Sequence, residues 1–372
     1  MTMTTRAALL RETGPDQWWQ LEELVLDEPG PGEVRIKVMA AGLCHSDDHV
    51  RVGDTRFRLP MVGGHEGAGI VEAVGPGVTR VAVGDHVSCS YVPVCGTCRY
   101  CATGRQNMCD SGKNAQIGAM MDGTYRFHTQ DGEDVGGMCV LGTFSQYAVI
   151  SEWACVKVDD DLPFEIVALV SCGVTTGWGS AVYAAGVRAG ETVVVYGVGG
   201  VGINAVQGAA YAGAKNLVVV DPNPFKIEKA KEFGATHGFE DPQEAHDAVI
   251  DLTRGQMADH AIMTVGVMDE ATATRGFEII GKGATMTLTG VGPYDLKIPG
   301  SPIVGWGKKI QGALFGGANP TYDIPRLLGL WRNGNLKLDE VISQRYTLDT
   351  INDGYRDMLA GKNLRGVLIH EH

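Results

Sequence analysis

Val193-Val194-Val195-Tyr196 runs directly into Gly197-Val198-Gly199-Gly200-Val201-Gly202, and an alanine-rich stretch follows through Ile203-Asn204-Ala205-Val206. The apolar residues read as a buried strand and the stretch after the last glycine as a helix, so a G-x-G-x-x-G pattern occupies the turn between them. Gly197 permits the tight turn, Gly199 lets backbone approach a pyrophosphate, and Gly202 lets helix pack on strand. The helix N-terminus behind the loop offers unpaired N–H groups and a positive dipole to a phosphate. Asp221 closes the next strand, nineteen residues past Gly202. A carboxylate there accepts hydrogen bonds from both hydroxyls of an adenosine ribose and repels a 2′-phosphate, so NAD is expected rather than NADP. A glycine-rich turn between a buried helix and strand is the bland alternative, and the flanking strand, helix and acid speak against it.

Outward from this loop, strands alternate with helices. Residues 193–196, 217–220, 261–265 and 284–289 read as buried strands, and 202–212, 226–233, 243–253 and 269–280 as helices. The alternation predicts an α/β domain of the Rossmann type, a doubly wound parallel sheet, over residues 174–316. Before Cys172, short β-rich runs at 34–38 and 68–74 lie between Gly/Pro turns, the pattern of a small β-barrel. Beyond residue 316 come two amphipathic helices, 324–331 and 351–359, and a closing strand at 366–369. This tail is assigned to the first domain, which then comprises 1–173 and 317–372.

The chain has 372 residues, more than one hydrophobic core usually organises, so two domains fit its length. Glycine makes up 52 of them, about 14% against a usual share of about 7%. The net charge of -13, without a basic run, argues against nucleic acid or an anionic membrane as partner and leaves a small molecule. The N-terminal apolar run Ala7-Ala8-Leu9-Leu10 is too short for a signal-peptide core, so a cytoplasmic protein is expected. Residues 166–187 and 192–214 are long uncharged stretches, but glycine and polar residues interrupt both, which suits buried elements better than membrane spans.

Six of the nine cysteines have metal-ligand spacing. Cys95-x-x-Cys98-x-x-Cys101 with Cys109 places four thiolates within fifteen residues, enough to enclose Zn²⁺ and leave no open position. Iron–sulfur chemistry also uses four cysteines, but this run lacks ferredoxin spacing, so a structural zinc site is the reading. A second set is dispersed: Cys44-His45-Ser46-Asp47-Asp48-His49, Gly64-His65-Glu66 and Ser171-Cys172-Gly173. Each fragment alone reads as core or surface.

Taken in this order, the two cysteine sets and the NAD loop resemble the zinc-dependent medium-chain alcohol dehydrogenases, over nearly the whole chain. The resemblance implies a GroES-like catalytic domain and two zinc ions. Cys44, His65 and Cys172 would hold the catalytic ion, Glu66 would be the acid near it, and Asp47 would orient His65. It also implies that Ser46 takes the alcohol proton, which passes through the NAD ribose to His49 and on to solvent, and that His45 touches the pyrophosphate. Lys226 would meet the adenosine ribose, Thr176, Val201, Val265 and Val291 the nicotinamide, and Arg365 the pyrophosphate.

Thr55 and Phe57 stand where the glutathione-dependent class has acids, which weakens a thiol-adduct reading. With Tyr91 they imply an apolar pocket for primary alcohols and their aldehydes. The segments Gly118-Ala119-Met120-Met121 and Phe144-Ser145-Gln146-Tyr147 resemble the actinobacterial nicotinoproteins, which keep NAD bound and use an external acceptor linked to mycofactocin. An ordinary dehydrogenase with exchangeable NAD, and a non-catalytic NAD- and zinc-binding protein, are the competing readings. Residues 310–315 resemble the family edge that pairs between subunits, which implies a homodimer or homotetramer.

Overall fold

The computed structural model describes residues 2–290 and 295–372. Two compact units divide the chain: Met1–Cys172 with Asn319–Asn333 and Leu338–His372, and Gly173–Ala318 with Gly334–Lys337. The short return of Gly334–Lys337 to the second unit has no counterpart in the sequence pattern. Gln207 holds it from the helix Gly202–Tyr211, accepting from the Lys337 N–H at 2.8 Å and donating to its carbonyl at 3.0 Å.

The second unit is built on a six-stranded sheet. Its strands lie in the order His237–Phe239, Asn216–Val220, Thr192–Tyr196, Ala258–Met263, Ile280–Leu288, Lys309–Gly312, and every neighbouring pair is parallel. Numbered along the chain this is 3-2-1-4-5-6, the doubly wound order of a dinucleotide-binding domain. Thr192–Tyr196 and Asn216–Val220 are buried along their whole length, which is why they read as unbroken apolar runs rather than alternating ones. The helices between strands carry local start signals: Asn223, Asp241 and Asp269 each accept a backbone N–H from the first turn, and Pro224 and Pro242 open their helices.

Three sequence expectations shift. The strand expected at 261–265 starts earlier and ends at Met263, the one at 284–289 starts at Ile280, and that at 310–315 ends at Gly312. In the last case Phe315 and Gly316 turn left-handed, burying the Phe315 ring and seating Gly316 so tightly on Gly179 that a Cβ there would lie 2.7 Å from the Gly316 oxygen. Propensity cannot anticipate such a turn at phenylalanine.

The first unit contains a closed barrel of Met3–Leu10, Gln20–Leu26, Phe127–His128, Asp134–Gly137 and Met61–Val62. Beside it a seven-stranded sheet centres on Glu33–Gly42, which pairs with Gly67–Val74, Tyr147–Ser151 and the C-terminal strand Arg365–Ile369. The tail therefore closes onto the first unit, with Val367 opposite Gly42. Phe164–Ala185 is the one helix among the described residues long and apolar enough to cross a membrane, and 83% of its most apolar window is buried. The other apolar run, residues 192–214, folds as strand, glycine turn and helix.

Candidate metal and cofactor sites

The sulfurs of Cys95, Cys98, Cys101 and Cys109 all lie within 4.8 Å of one another. Cys109 Sγ is 3.6 Å from Cys95 Sγ and 3.9 Å from Cys98 Sγ, close to the edge of about 3.8 Å that a tetrahedron with Zn–S bonds of about 2.3 Å requires. The loop also turns its own amides onto the sulfurs. The N–H groups of Thr97 and Cys98 point to Cys95 Sγ at 3.5 and 3.3 Å, that of Cys101 to Cys98 Sγ at 3.5 Å, and that of Cys95 to Cys109 Sγ at 3.4 Å. Such bonds favour thiolates, and Cys95 is drawn down to about 6, by backbone and Thr97 hydrogen bonds that outweigh its burial. Four thiolates at these separations fit a closed zinc site.

The dispersed set converges as well: Cys44 Sγ, Cys172 Sγ, a His65 nitrogen and a Glu66 oxygen lie within 4.8 Å of one another, all buried. Three elements deliver them. Cys44 precedes the helix His45–Val52, His65 and Glu66 precede the strand Gly67–Val74, and Cys172 lies in the widened π-helical turn Val170–Val174. Such a turn re-aims a side chain that a regular helix would point elsewhere. Ser171 ties two of these segments, accepting the Gly67 N–H at 3.1 Å and donating to the Ala168 carbonyl at 2.6 Å.

His65 is oriented as expected from the sequence. Its Nδ1 lies 3.1 Å from Asp47 Oδ1, which also accepts the Gly64 N–H at 3.0 Å, and its Nε2 is buried without a hydrogen-bond partner. Burial disfavours its charge, but Asp47 and the two cysteines hold it above the ordinary histidine range; with Nδ1 on a carboxylate and Nε2 turned to two thiols the ring is oriented to give Nε2 to a cation in place of a proton. The Cys172 thiol donates to Cys44 and draws Cys44 well below the usual thiol range, while Cys172 is raised by the same bond. Burial lifts Asp47, and it lifts Glu66 to about 7 against the pull of Arg365. The donor set thus crowds acidic groups out of water, where burial resists their ionisation and a divalent cation would relieve it.

Arg365, which the resemblance assigns to the pyrophosphate, has a partner within the first unit. It begins the C-terminal strand, is 4% exposed, and bonds Glu66 Oε2 through Nη2. Gly42 makes room for this pair, because a Cβ there would fall 1.9 Å from Glu66 Oε2 and 2.8 Å from Arg365 Nη2. Thr143 donates to the Glu66 carbonyl at 2.8 Å, and Tyr91 stands edge-on to the His65 ring with centroids 5.8 Å apart. Phe57, Leu59 and Tyr91 pack on an apolar cluster that includes Met138 and Cys139.

Ser46 Oγ lies 3.7 Å from Cys44 Sγ. His45 and His49 share one helix, with ring centroids 6.2 Å apart. The His49 side chain is only 4% exposed, and its Nδ1 sits 2.9 Å from Asp54 Oδ2. Sequence reasoning missed Asp54. The available signal was the helix-stopping Gly53, whose φ of 94° turns the chain back under the helix it ends.

In the second unit the glycine loop divides its tasks by geometry. Gly197 has φ 81°, and a Cβ on it would lie 2.9 Å from Val265 Cα; one on Gly202 would lie 1.9 Å from the Gly197 oxygen. A Cβ on Gly199, by contrast, meets nothing within 4 Å, which leaves backbone open to a pyrophosphate. Gly200 accepts from Asn204 Nδ2 at 2.8 Å, and Val201 stands at the N-cap position of the helix without a side-chain capping bond. Asp221 is buried at the end of its strand, with Oδ2 accepting the Val198 N–H and Oδ1 that of Asn223, both at 2.9 Å. Each oxygen keeps a further lone pair for a ribose hydroxyl. Lys226 is half-buried in the helix Pro224–Glu232, Thr176 is buried, and Val265 packs on the sheet core. Val291 lies outside the described residues.

The alcohol dehydrogenase GroES-like domain model matches residues 30–160, and the zinc-binding dehydrogenase model matches residues 200–332. The chain belongs to the zinc-dependent medium-chain alcohol dehydrogenases. It is 56% identical over 371 residues to the NDMA-dependent alcohol dehydrogenase of Amycolatopsis methanolica, covering 99% of both chains. Its fold superposes on an alcohol dehydrogenase zinc-binding domain protein from Burkholderia ambifaria with a TM-score of 0.91 at 32% identity, covering 100% of each chain. Benzyl alcohol dehydrogenase from Acinetobacter calcoaceticus matches with a TM-score of 0.90 at 30% identity, over 99% of this chain and 100% of that one. The enzyme is an NAD-dependent zinc alcohol dehydrogenase, and zinc and NAD are its cofactors.

Proposed function

We propose that the enzyme oxidises primary alcohols to aldehydes with NAD that stays bound through turnover and is reoxidised in place by an external acceptor of the mycofactocin type. The observation that carries this reading is the 56% identity, over 99% of both chains, to a relative named for its dependence on NDMA. Cytoplasmic location and a homodimer or homotetramer, paired through the strand Lys309–Gly312 at the sheet edge, belong to the same reading.

Cys44, His65 and Cys172 are the ligands for the catalytic zinc, and Cys95, Cys98, Cys101 and Cys109 those for the structural one. Bound there, the catalytic ion supplies a Lewis acid that eases loss of the alcohol proton, and NAD supplies the hydride acceptor. Asp47 fixes the ring of His65. Glu66 pairs with Arg365 beside the thiols and matches its charge within the buried site. Ser46 would take the alcohol proton at Oγ and His49 would move it onward. Phe57, Leu59 and Tyr91 exclude water around the carbon that loses hydride and favour an apolar substrate chain. The glycine loop, Asp221 and Lys226 bind and orient the adenosine half of NAD.

The test is the reduced-nicotinamide absorbance of desalted protein given 1-propanol without added NAD. A single stoichiometric rise, not extended by NAD⁺ but reversed by an artificial acceptor, is expected. Turnover that begins only when NAD⁺ is added would overturn the bound-cofactor reading and leave an ordinary dehydrogenase.

A further inference from the structure

The sequence reading gives His49 the last place in the proton relay, passing the proton to solvent itself. In the folded chain the imidazole is almost wholly enclosed, with 4% of its side chain exposed, while the carboxylate bonded to its Nδ1 at 2.9 Å, Asp54, is 38% exposed. A proton that reaches His49 finds in Asp54 a bonded carboxylate that is open to water. We propose that Asp54 is the exit of the relay, the group that accepts the proton from His49 and releases it to solvent. This rests on the reading that Ser46 and His49 carry the alcohol proton.

The local fold is built for that contact. Gly53, in the left-handed region at φ 94°, ends the helix His45–Val52, and the Thr55 N–H then donates to the His49 carbonyl at 3.1 Å, folding Asp54 back against the ring. The other charged groups of this helix are engaged elsewhere. Asp47 holds His65, and Asp48 takes Arg51 Nε at 2.7 Å. The rest of the Arg51 guanidinium lies on the Pro15 and Gln17 carbonyls and over the Trp18 ring. His45 is the neighbouring imidazole, at 6.2 Å between centroids.

The step balances without a further reagent. His49 gains a proton at Nε2, Asp54 Oδ2 takes the proton from Nδ1, and water takes it from Asp54. Between turnovers the ring returns to its Nδ1–H tautomer by giving its Nε2 proton to water and regaining one at Nδ1 through Asp54, an exchange that moves no net proton. Alcohol oxidation then delivers its hydride to NAD and its proton to bulk solvent.

The experiment compares Asp54→Asn and His49→Gln with the parent, each carrying NAD⁺, in single-turnover reduction by 1-propanol across neutral pH at low and high concentrations of a small buffer. Asparagine keeps an oxygen for the Nδ1–H bond but cannot take the proton. Asp54→Asn is expected to slow the reaction roughly tenfold or more at low buffer and to recover as buffer is raised, with a changed pH profile. Its melting temperature should match the parent, since the side chain is partly exposed. A rate equal to the parent's, or a loss that buffer does not restore, while His49→Gln is slow, overturns the exit and leaves the relay standing. If His49→Gln also reacts like the parent, the relay reading fails and the exit with it.

Discussion

The cysteine loop at residues 95–109 and the donor set of Cys44, His65, Glu66 and Cys172 reach similar mutual distances by opposite means. In the loop, the sulfurs are steadied by amides of the same short segment, and three of the four cysteines are only half-buried. In the dispersed set every donor is buried, and its supports come from far along the chain: Asp47 for His65, Arg365 for Glu66, Ser171 bridging to Gly67. A site that carries its own hydrogen bonds can staple a lobe with little core. One assembled by distant elements depends on the whole unit being folded, and that same dependence lets it hold an enclosed, charge-rich pocket in which chemistry is sensitive to small displacements.

Breaking the dispersed set should cost most. Cys44→Ser is expected to lower turnover roughly thousandfold, in line with the several kcal/mol that a Lewis acid supplies, and to halve bound zinc by metal analysis while thermal stability changes little. Retained turnover would remove Cys44 from the ligand set. Cys98→Ala tests the other side. It should destabilise the chain by about 4 kcal/mol in denaturant unfolding yet leave the residual folded enzyme active. An inactive but fully stable variant would reverse the roles assigned to the two clusters.

Acid offers a milder way to separate the regions. His370 is buried, its Nε2 donates to the Thr143 carbonyl at 2.9 Å, and Thr143 in turn holds the Glu66 carbonyl, so this histidine belongs to the scaffold of the dispersed set. Burial pushes His370 down to about 4 from its ordinary 6.5. The unfolded chain therefore takes up this proton first as pH falls, and the contribution, full above about pH 6.5, is lost progressively toward pH 4. The loss amounts to about 3 kcal/mol. Denaturant midpoints at pH 7 and pH 4.5 should diverge less in His370→Gln than in the parent, and equal divergence would assign the acid sensitivity elsewhere. The smallest effect is expected of Asp47→Asn, with zinc affinity at the dispersed set falling roughly ten- to a hundredfold and the cysteine loop keeping its metal, as read by competition with a chelator.

What was legible follows the same divide. The glycine loop, Asp221 and the four clustered cysteines could be read directly because their geometry is set within a few residues: Gly202 must lack a Cβ to clear the Gly197 oxygen, and Cys95 to Cys109 close on their own amides. The buried valine strands and capped helices of the second unit were equally open to reading. Asp54, the seating of Arg365 on Glu66 and the left-handed turn at Phe315 were not, because each depends on a neighbour that the local pattern does not encode.

By itself the sequence determined that this chain carries a doubly wound dinucleotide domain, a four-cysteine metal loop and the residue types of a zinc alcohol dehydrogenase, because hydrophobic period, glycine placement and ligand spacing are short-range properties. Only the tertiary structure decided which buried group faces which: that His49 pairs with Asp54, that Arg365 bonds Glu66, and that the π-helical turn brings Cys172 to Cys44. Those pairings arise when elements far apart in the chain exclude water together, and a charge so enclosed must find its partner among whatever the fold has brought within reach.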